Sequence, residues 1–158
     1  MATTLRPGLR IKLNTGEKMI INGAVVENLG SRTQLRFHNH VSVIRASEAI
    51  VDPQSPATRI CFALQNAYLF PDDRDLYLAD FRKLLVAYVE AAPSAEPLVT
   101  EILDWIREGN LYKALTSSWS LIEHEKQLYQ ACASAADRAA AGGIRHDEDH
   151  RIGNDNPR

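Results

Sequence analysis

The hydrophobic period of this chain changes once, across Asp52-Pro53-Gln54-Ser55-Pro56, and that change limits what it can fold into. Before the segment, apolar residues recur at every second position, as in strands with one buried face. After it they recur at intervals of three and four, as in amphipathic helices. Two prolines so close together, among Asp, Gln and Ser, suit neither a helix interior nor a central strand. The segment therefore reads as a loop between the two regimes.

Upstream, Leu9, Ile11 and Leu13 alternate with Arg10 and Lys12, predicting a first strand. Asn14-Thr15-Gly16 turns the chain into a second, Lys18 to Asn22. Asn22-Gly23 is a tight hairpin dipeptide, because both residues tolerate positive φ, and Ala24 to Glu27 follows as a third strand. Leu35 and Phe37 alternate with Gln34, Arg36 and His38 in a fourth. Val41 and Val43, either side of Ser42, make a fifth. Downstream, helices are predicted over 57–69, from Pro71-Asp72-Asp73 to about Ala91, over 96–108, and from Leu111 to about Ala136. Their apolar faces carry Ile60, Cys61, Leu64 and Tyr68, then Tyr77, Phe81, Leu84, Leu85 and Tyr88, then Leu98, Ile102, Leu103 and Ile106. The last aligns Leu111, Leu115, Trp119, Ile122 and Tyr129. The expectation is an α+β fold: a small N-terminal antiparallel β-meander or partial barrel, then a C-terminal antiparallel helical bundle. It divides into a basic β domain (1–52), a helical domain (53–141) and a polar tail (142–158) with too little apolar content to order itself.

At 158 residues, 45% hydrophobic and 24% charged, the chain has the composition of a globular protein with a real core. No apolar run reaches the roughly 18 residues of a membrane span. The first ten residues lack the apolar stretch of a signal peptide, so a cytoplasmic protein is expected. Cys61 and Cys132 then read as small buried thiols in apolar helix positions. Charge is unevenly distributed. Residues 1–52 hold seven basic and four acidic side chains, a net of +3, which leaves -5 elsewhere for the total of -2. A basic half hints at a polyanionic partner.

Few constellations suggest catalysis. The sequence has no glycine-rich phosphate loop and no nucleophile-elbow serine. Pairs such as Asp72-Asp73 and Glu123/Glu125 fall at helix starts or on polar faces. His38 and His40 can face one way, but no nearby Asp, Glu or Cys completes a metal site. His146 and His150 flank Asp147-Glu148-Asp149 in the tail, which offers no fixed geometry. An enzyme, a metal and a cofactor are therefore not expected. The basic residues carry more. Arg10 and Lys12 should share one face of the first strand, Arg36 and His38 one face of the fourth, and Arg45 ends the fifth. If these strands adjoin, their cations converge on a surface able to hold a nucleic-acid backbone. The same pattern also describes the polar outer face of a half-buried sheet. Phe37 is the only aromatic before residue 62, so base stacking is not expected to dominate.

The stretch Leu13-x-x-Gly16-Glu17-x-x-x-Ile21-Asn22-Gly23-Ala24-Val25-Val26-x-Asn28 resembles the N-terminal signature of the FlbT family of flagellar biosynthesis repressors. Val43-x-Arg45, Arg59-Ile60, Tyr68-Leu69 before Pro71, and Gly109-Asn110-Leu111-Tyr112-Lys113-Ala114-Leu115 follow in order, so the resemblance covers about residues 8 to 130. It implies a post-transcriptional regulator that associates with the 5′ untranslated leader of flagellin mRNA and promotes its decay. In some relatives the effect on flagellin is positive. It also implies action alongside FlaF, a small helical flagellin-associated factor.

Residues 9 to 48 are also similar to the carbon storage regulator family of RNA-binding proteins, through Gly16-Glu17 and Val41-Ser42-Val43-x-Arg45-x-x-Glu48. That similarity implies a homodimer of interlaced strands, with the first and fifth framing the RNA site and Arg45 as a principal contact. The basic pair preceding Gly-Glu in that family is absent here, and Arg10 and Lys12 stand nearby instead. The expected RNA-binding residues are thus Arg10, Lys12, Arg36 and Arg45. The alternative is a protein-binding adaptor in flagellum assembly, whose acidic helical half recognises a FlaF-like protein or flagellin. Tyr112 and Lys113 then form either a partner-contact patch or a packed ring beside a solvated cation.

Overall fold

The computed structural model describes residues 8–142. Five strands precede four α-helices: β1 (Leu9–Leu13), β2 (Lys18–Ile21), β3 (Ala24–Glu27), β4 (Thr33–Phe37), β5 (Val43–Arg45), α1 (Pro56–Leu69), α2 (Arg74–Ala91), α3 (Glu96–Arg107) and α4 (Leu111–Gly142). Single 3-10 turns at Pro71–Asp73 and Pro93–Ala95 lead into α2 and α3. The α+β class is as expected. One compact unit runs to His124, and the rest of α4, from Glu125, belongs to a second. Apart from Gly142, which ends α4, the tail expected to lack order lies outside the described residues, as do His146 and His150. Among the described residues no helix is long and apolar enough to cross a membrane.

The strand pairs are antiparallel. β1 pairs with β4 as a two-stranded ribbon, and β2 lies between β3 and β5 in a second sheet. Only β2–β3 is a hairpin of sequence neighbours. Its turn residues Asn22 and Gly23 both have positive φ, 46° and 84°, as a two-residue hairpin requires. Gly23 has a second reason to be glycine: a Cβ there would run into the ring of Phe70, just past α1. The loop residue Ser55 becomes the N-cap of α1. Its hydroxyl accepts from the Thr58 amide at 3.2 Å, while its own amide donates to Thr58 Oγ1 at 2.9 Å, and Pro56 fills the first helical position.

The core gathers around α1, which buries Ala57, Ile60, Cys61, Leu64, Ala67 and Leu69. Phe81 and Leu85 of α2, Ile102 of α3, Leu115 and Leu121 of α4, and Leu13, Met19 and Ile44 of the strands complete it. The face of α4 is rotated from the expected one. Trp119 is 38% exposed, and the buried row is Ala114, Leu115, Ser118 and Leu121. Small residues at 114 and 118 let α4 approach α1 closely enough for the Cys61 thiol to donate to the Ser118 carbonyl at 3.1 Å. Cys61 is buried as expected, but Cys132 is exposed.

The strands are fastened to the end of α1 by hydrogen bonds. The Gln65 amide donates to the Ile50 carbonyl at 3.0 Å and accepts from the Ile50 amide at 2.8 Å. The Val43 amide donates to the Tyr68 hydroxyl at 3.1 Å, and burial pushes that phenol above its ordinary pKa. Asn22 binds Ser42 twice: its amide donates to the Ser42 carbonyl, and its side-chain oxygen accepts from the Ser42 amide, both at 2.9 Å. Ser42 and Ile44 therefore point inward. β5 runs over 43–45, two residues later and in the opposite phase from the sequence expectation.

Gly23→Ala should lower stability by about 2 kcal/mol, since it adds both left-handed strain and a clash with Phe70. Urea denaturation of Gly23→Ala, Phe70→Ala and the double variant should give less than additive losses. A Gly23→Ala protein as stable as the parent would contradict this turn geometry.

Candidate nucleic-acid interface

The β1–β4 register sets Arg10 directly opposite Arg36, and Lys12 opposite Gln34. Alternation then puts these four side chains on one face of the ribbon, with Ile11 and Leu35 on the other. Arg10, Lys12 and Arg36 are exposed. Among the described residues, no carboxylate pairs with any of the three. Like charges directly opposite each other disfavour a strand pair. The neighbouring sheet shows the usual remedy, because there Lys18 stands opposite Glu27 and pairs with it at 3.4 Å.

Arg45 is employed differently. From β5 its guanidinium makes an ion pair with Glu17, and its second terminal nitrogen donates to the Lys12 carbonyl at 3.2 Å. The Glu17 carboxylate also accepts from the Asn14 amide at 2.8 Å and from its side-chain nitrogen at 3.2 Å. Asn28 closes the other side. Its carbonyl accepts from the Gly16 amide at 2.7 Å, its amide donates to the Glu17 carbonyl at 3.1 Å, and its side chain donates to the Leu13 carbonyl at 3.0 Å. Gly16, Glu17, Asn28 and Arg45 thus form one knot joining β1 to β5. The positive φ of Gly16, 72°, lets its turn form.

A cleft of about 460 Å³ lies beside this knot. Arg10, Lys12 and Arg45 line it together, whereas Arg36 stands on the ribbon opposite Arg10 and does not. Glu48 and Gln34 also face it, as does Tyr112 from the first turn of α4. Tyr112 is 50% exposed, and its ring centroid is 5.7 Å from that of Tyr68. Sequence reasoning left it out of the basic surface because it comes from the helical half. The available signal was its place just after Gly109-Asn110, at a helix start. Lys113 points elsewhere, its ammonium 4.1 Å from the centre of the Trp105 ring. His38 and His40 are exposed. Among the described residues no cluster of three or more His, Cys, Asp or Glu side chains could hold a metal.

The family model for the flagellar protein FlbT matches residues 9–129, from the start of β1 into α4. The chain belongs to the FlbT family. A probable flagellum biosynthesis repressor protein FlbT of Rhodopseudomonas palustris (strain TIE-1) is 30% identical over 125 residues, covering 76% of this chain and 96% of the relative. The flagellum biosynthesis repressor protein FlbT of Caulobacter vibrioides (strain ATCC 19089) is 30% identical over 141 residues, covering 85% and 96%. A Caulobacter sp. (strain K31) relative of the same probable function is 31% identical over 123 residues, covering 75% and 94%. No solved structure matches the chain. The span shared with the FlbT family includes the cationic ribbon, the Glu17–Arg45 knot and Tyr112.

The knot predicts energetic coupling. Glu17→Gln and Arg45→Ala should each destabilise the protein, with a coupling of about 1 kcal/mol in a double-mutant cycle. Arg45→Lys should recover little, because one ammonium cannot span both the carboxylate and the Lys12 carbonyl as the guanidinium fork does. Additive losses in thermal denaturation would mean that the pair does not couple.

Proposed function

We propose that this protein is a repressor of flagellin synthesis that binds the 5′ untranslated leader of flagellin mRNA and thereby promotes its degradation or blocks its translation. The observation that carries the reading is the uncompensated pair Arg10 and Arg36, face to face on an exposed ribbon beside a cleft lined by two further cations. Such an arrangement is unfavourable alone and becomes favourable when a phosphate backbone lies across it. Membership of a family whose relatives are named flagellum biosynthesis repressors supports the same reading. An mRNA partner would put the protein in the cytoplasm. Arg10, Lys12 and Arg36 act as the free phosphate contacts, and Arg45 contributes its charge while holding the rim in place.

A second reading, an adaptor for a FlaF-like protein or flagellin, is favoured by a mainly apolar groove of about 360 Å³ between α1 and α2. It is lined by Phe62, Ala63, Tyr77 and Leu84, with Arg59 and Lys83 among its charged residues. The two readings use different surfaces and are compatible.

Binding of purified protein to the flagellin leader across a salt titration separates them. Arg10→Ala and Arg36→Ala should each weaken binding and flatten the log–log salt slope by about 0.7 per lost contact with a single strand. Lys83→Ala, in the helical groove, should do neither. Binding no tighter than to an unrelated RNA would reject direct recognition by this chain and leave the adaptor reading in front.

A further inference from the structure

A surface that only held phosphates would need cations and nothing else, yet the cleft beside β1 is mixed. Arg10 and Lys12 share it with the half-buried apolar residues Ile11 and Val43, with the carboxylate of Glu48, and with the ring of Tyr112. A carboxylate is a poor neighbour for a phosphate but a good acceptor for the exocyclic amino group of a base. Apolar side chains and an aromatic ring suit a flat partner that is apolar on its faces. The Tyr112 ring is also held in place. It packs on Tyr68, whose hydroxyl is fixed on Val43 of β5, so little side-chain freedom remains to be lost when something stacks on it. The volume lies in the range of small-ligand pockets.

We propose that the cleft takes one unpaired nucleotide of the bound RNA. Its base stacks on Tyr112, its phosphate lies against Arg10 and Lys12, and Glu48 accepts from an amino group on its edge. The inference rests on the RNA-binding reading and deepens it. A surface that tracks the backbone becomes one that engages a base, and α4 takes part in what is otherwise a β-strand site.

The test uses the full chain and a fluorescein-labelled single-stranded fragment of the flagellin leader, together with versions carrying one abasic site at each position in turn. Tyr112→Leu keeps apolar packing on Tyr68 but lacks the π face, and thermal melting checks that it folds. It should bind about tenfold more weakly with the parent salt slope, and Tyr112→Phe should rescue most of the loss. One abasic position should weaken binding to the parent and have no further effect on Tyr112→Leu. Equal affinity of Tyr112→Leu and the parent, while Arg10→Ala still weakens binding, would overturn the stacking and leave the RNA reading standing. Failure of the parent to prefer the leader over an unrelated RNA would overturn both.

Discussion

The last turns of α1 hold the strands together as a structure. Strands of three to five residues in two separate sheets bury too little apolar surface to be stable alone. Gln65 satisfies both backbone groups of Ile50, Tyr68 meets the amide of Val43, and Phe70 occupies the space that glycine leaves at position 23. Each contact serves a backbone group or a turn that short strands could not satisfy themselves. The helix is capped by its own loop through Ser55 and Thr58, and Leu13, Met19 and Ile44 of the strands share its core with the other helices. The strands are then placed by the helix.

That placement divides the cations into two kinds. Arg45 on β5 faces the turn after β1, where Glu17 and the Lys12 carbonyl engage it. Arg10 and Arg36 are exposed and make no ion pair among the described residues. The contrast with Lys18 and Glu27 on the adjoining sheet shows that this chain can match charges across strands. A mismatched pair beside a matched one is not what strand pairing alone favours. The Gly16-Glu17 signature and the distant Arg45 therefore belong to one structural unit.

Much of this was legible in the sequence, and the misses share a cause. The change of period at Asp52 to Pro56, the Asn22-Gly23 turn and the buried face of α1 depend on local pattern, which one segment reveals by itself. β5 lies later than its alternation predicts because Ser42 has the look of an outward polar residue. It is 1% exposed, since its backbone partners are supplied by Asn22, twenty residues earlier. The face of α4 differs from its pattern because Trp119 carries more hydrophobic weight than Ala114 or Ser118, although close approach of two helices favours small residues. The pairing of β1 with β4, which brings Arg10 to Arg36, leaves no trace in either strand alone. In each case a tertiary partner overrode a local preference.

Tyr112 likewise owes its place in the cleft to tertiary structure. A basic β half with a single aromatic suggests contacts to phosphate alone, and phosphate contacts position a nucleic acid without reading it. The ring in the cleft comes from the start of α4, and it packs against Tyr68, which is tied to β5. The residues that fasten the strands to α1 therefore also set the distance between cation and ring. Arg45 fixes the opposite side by holding the Lys12 backbone. Both walls of the cleft are thus held from within the fold, and on the proposed reading discrimination would depend on what fits between Tyr112 and the β1 cations.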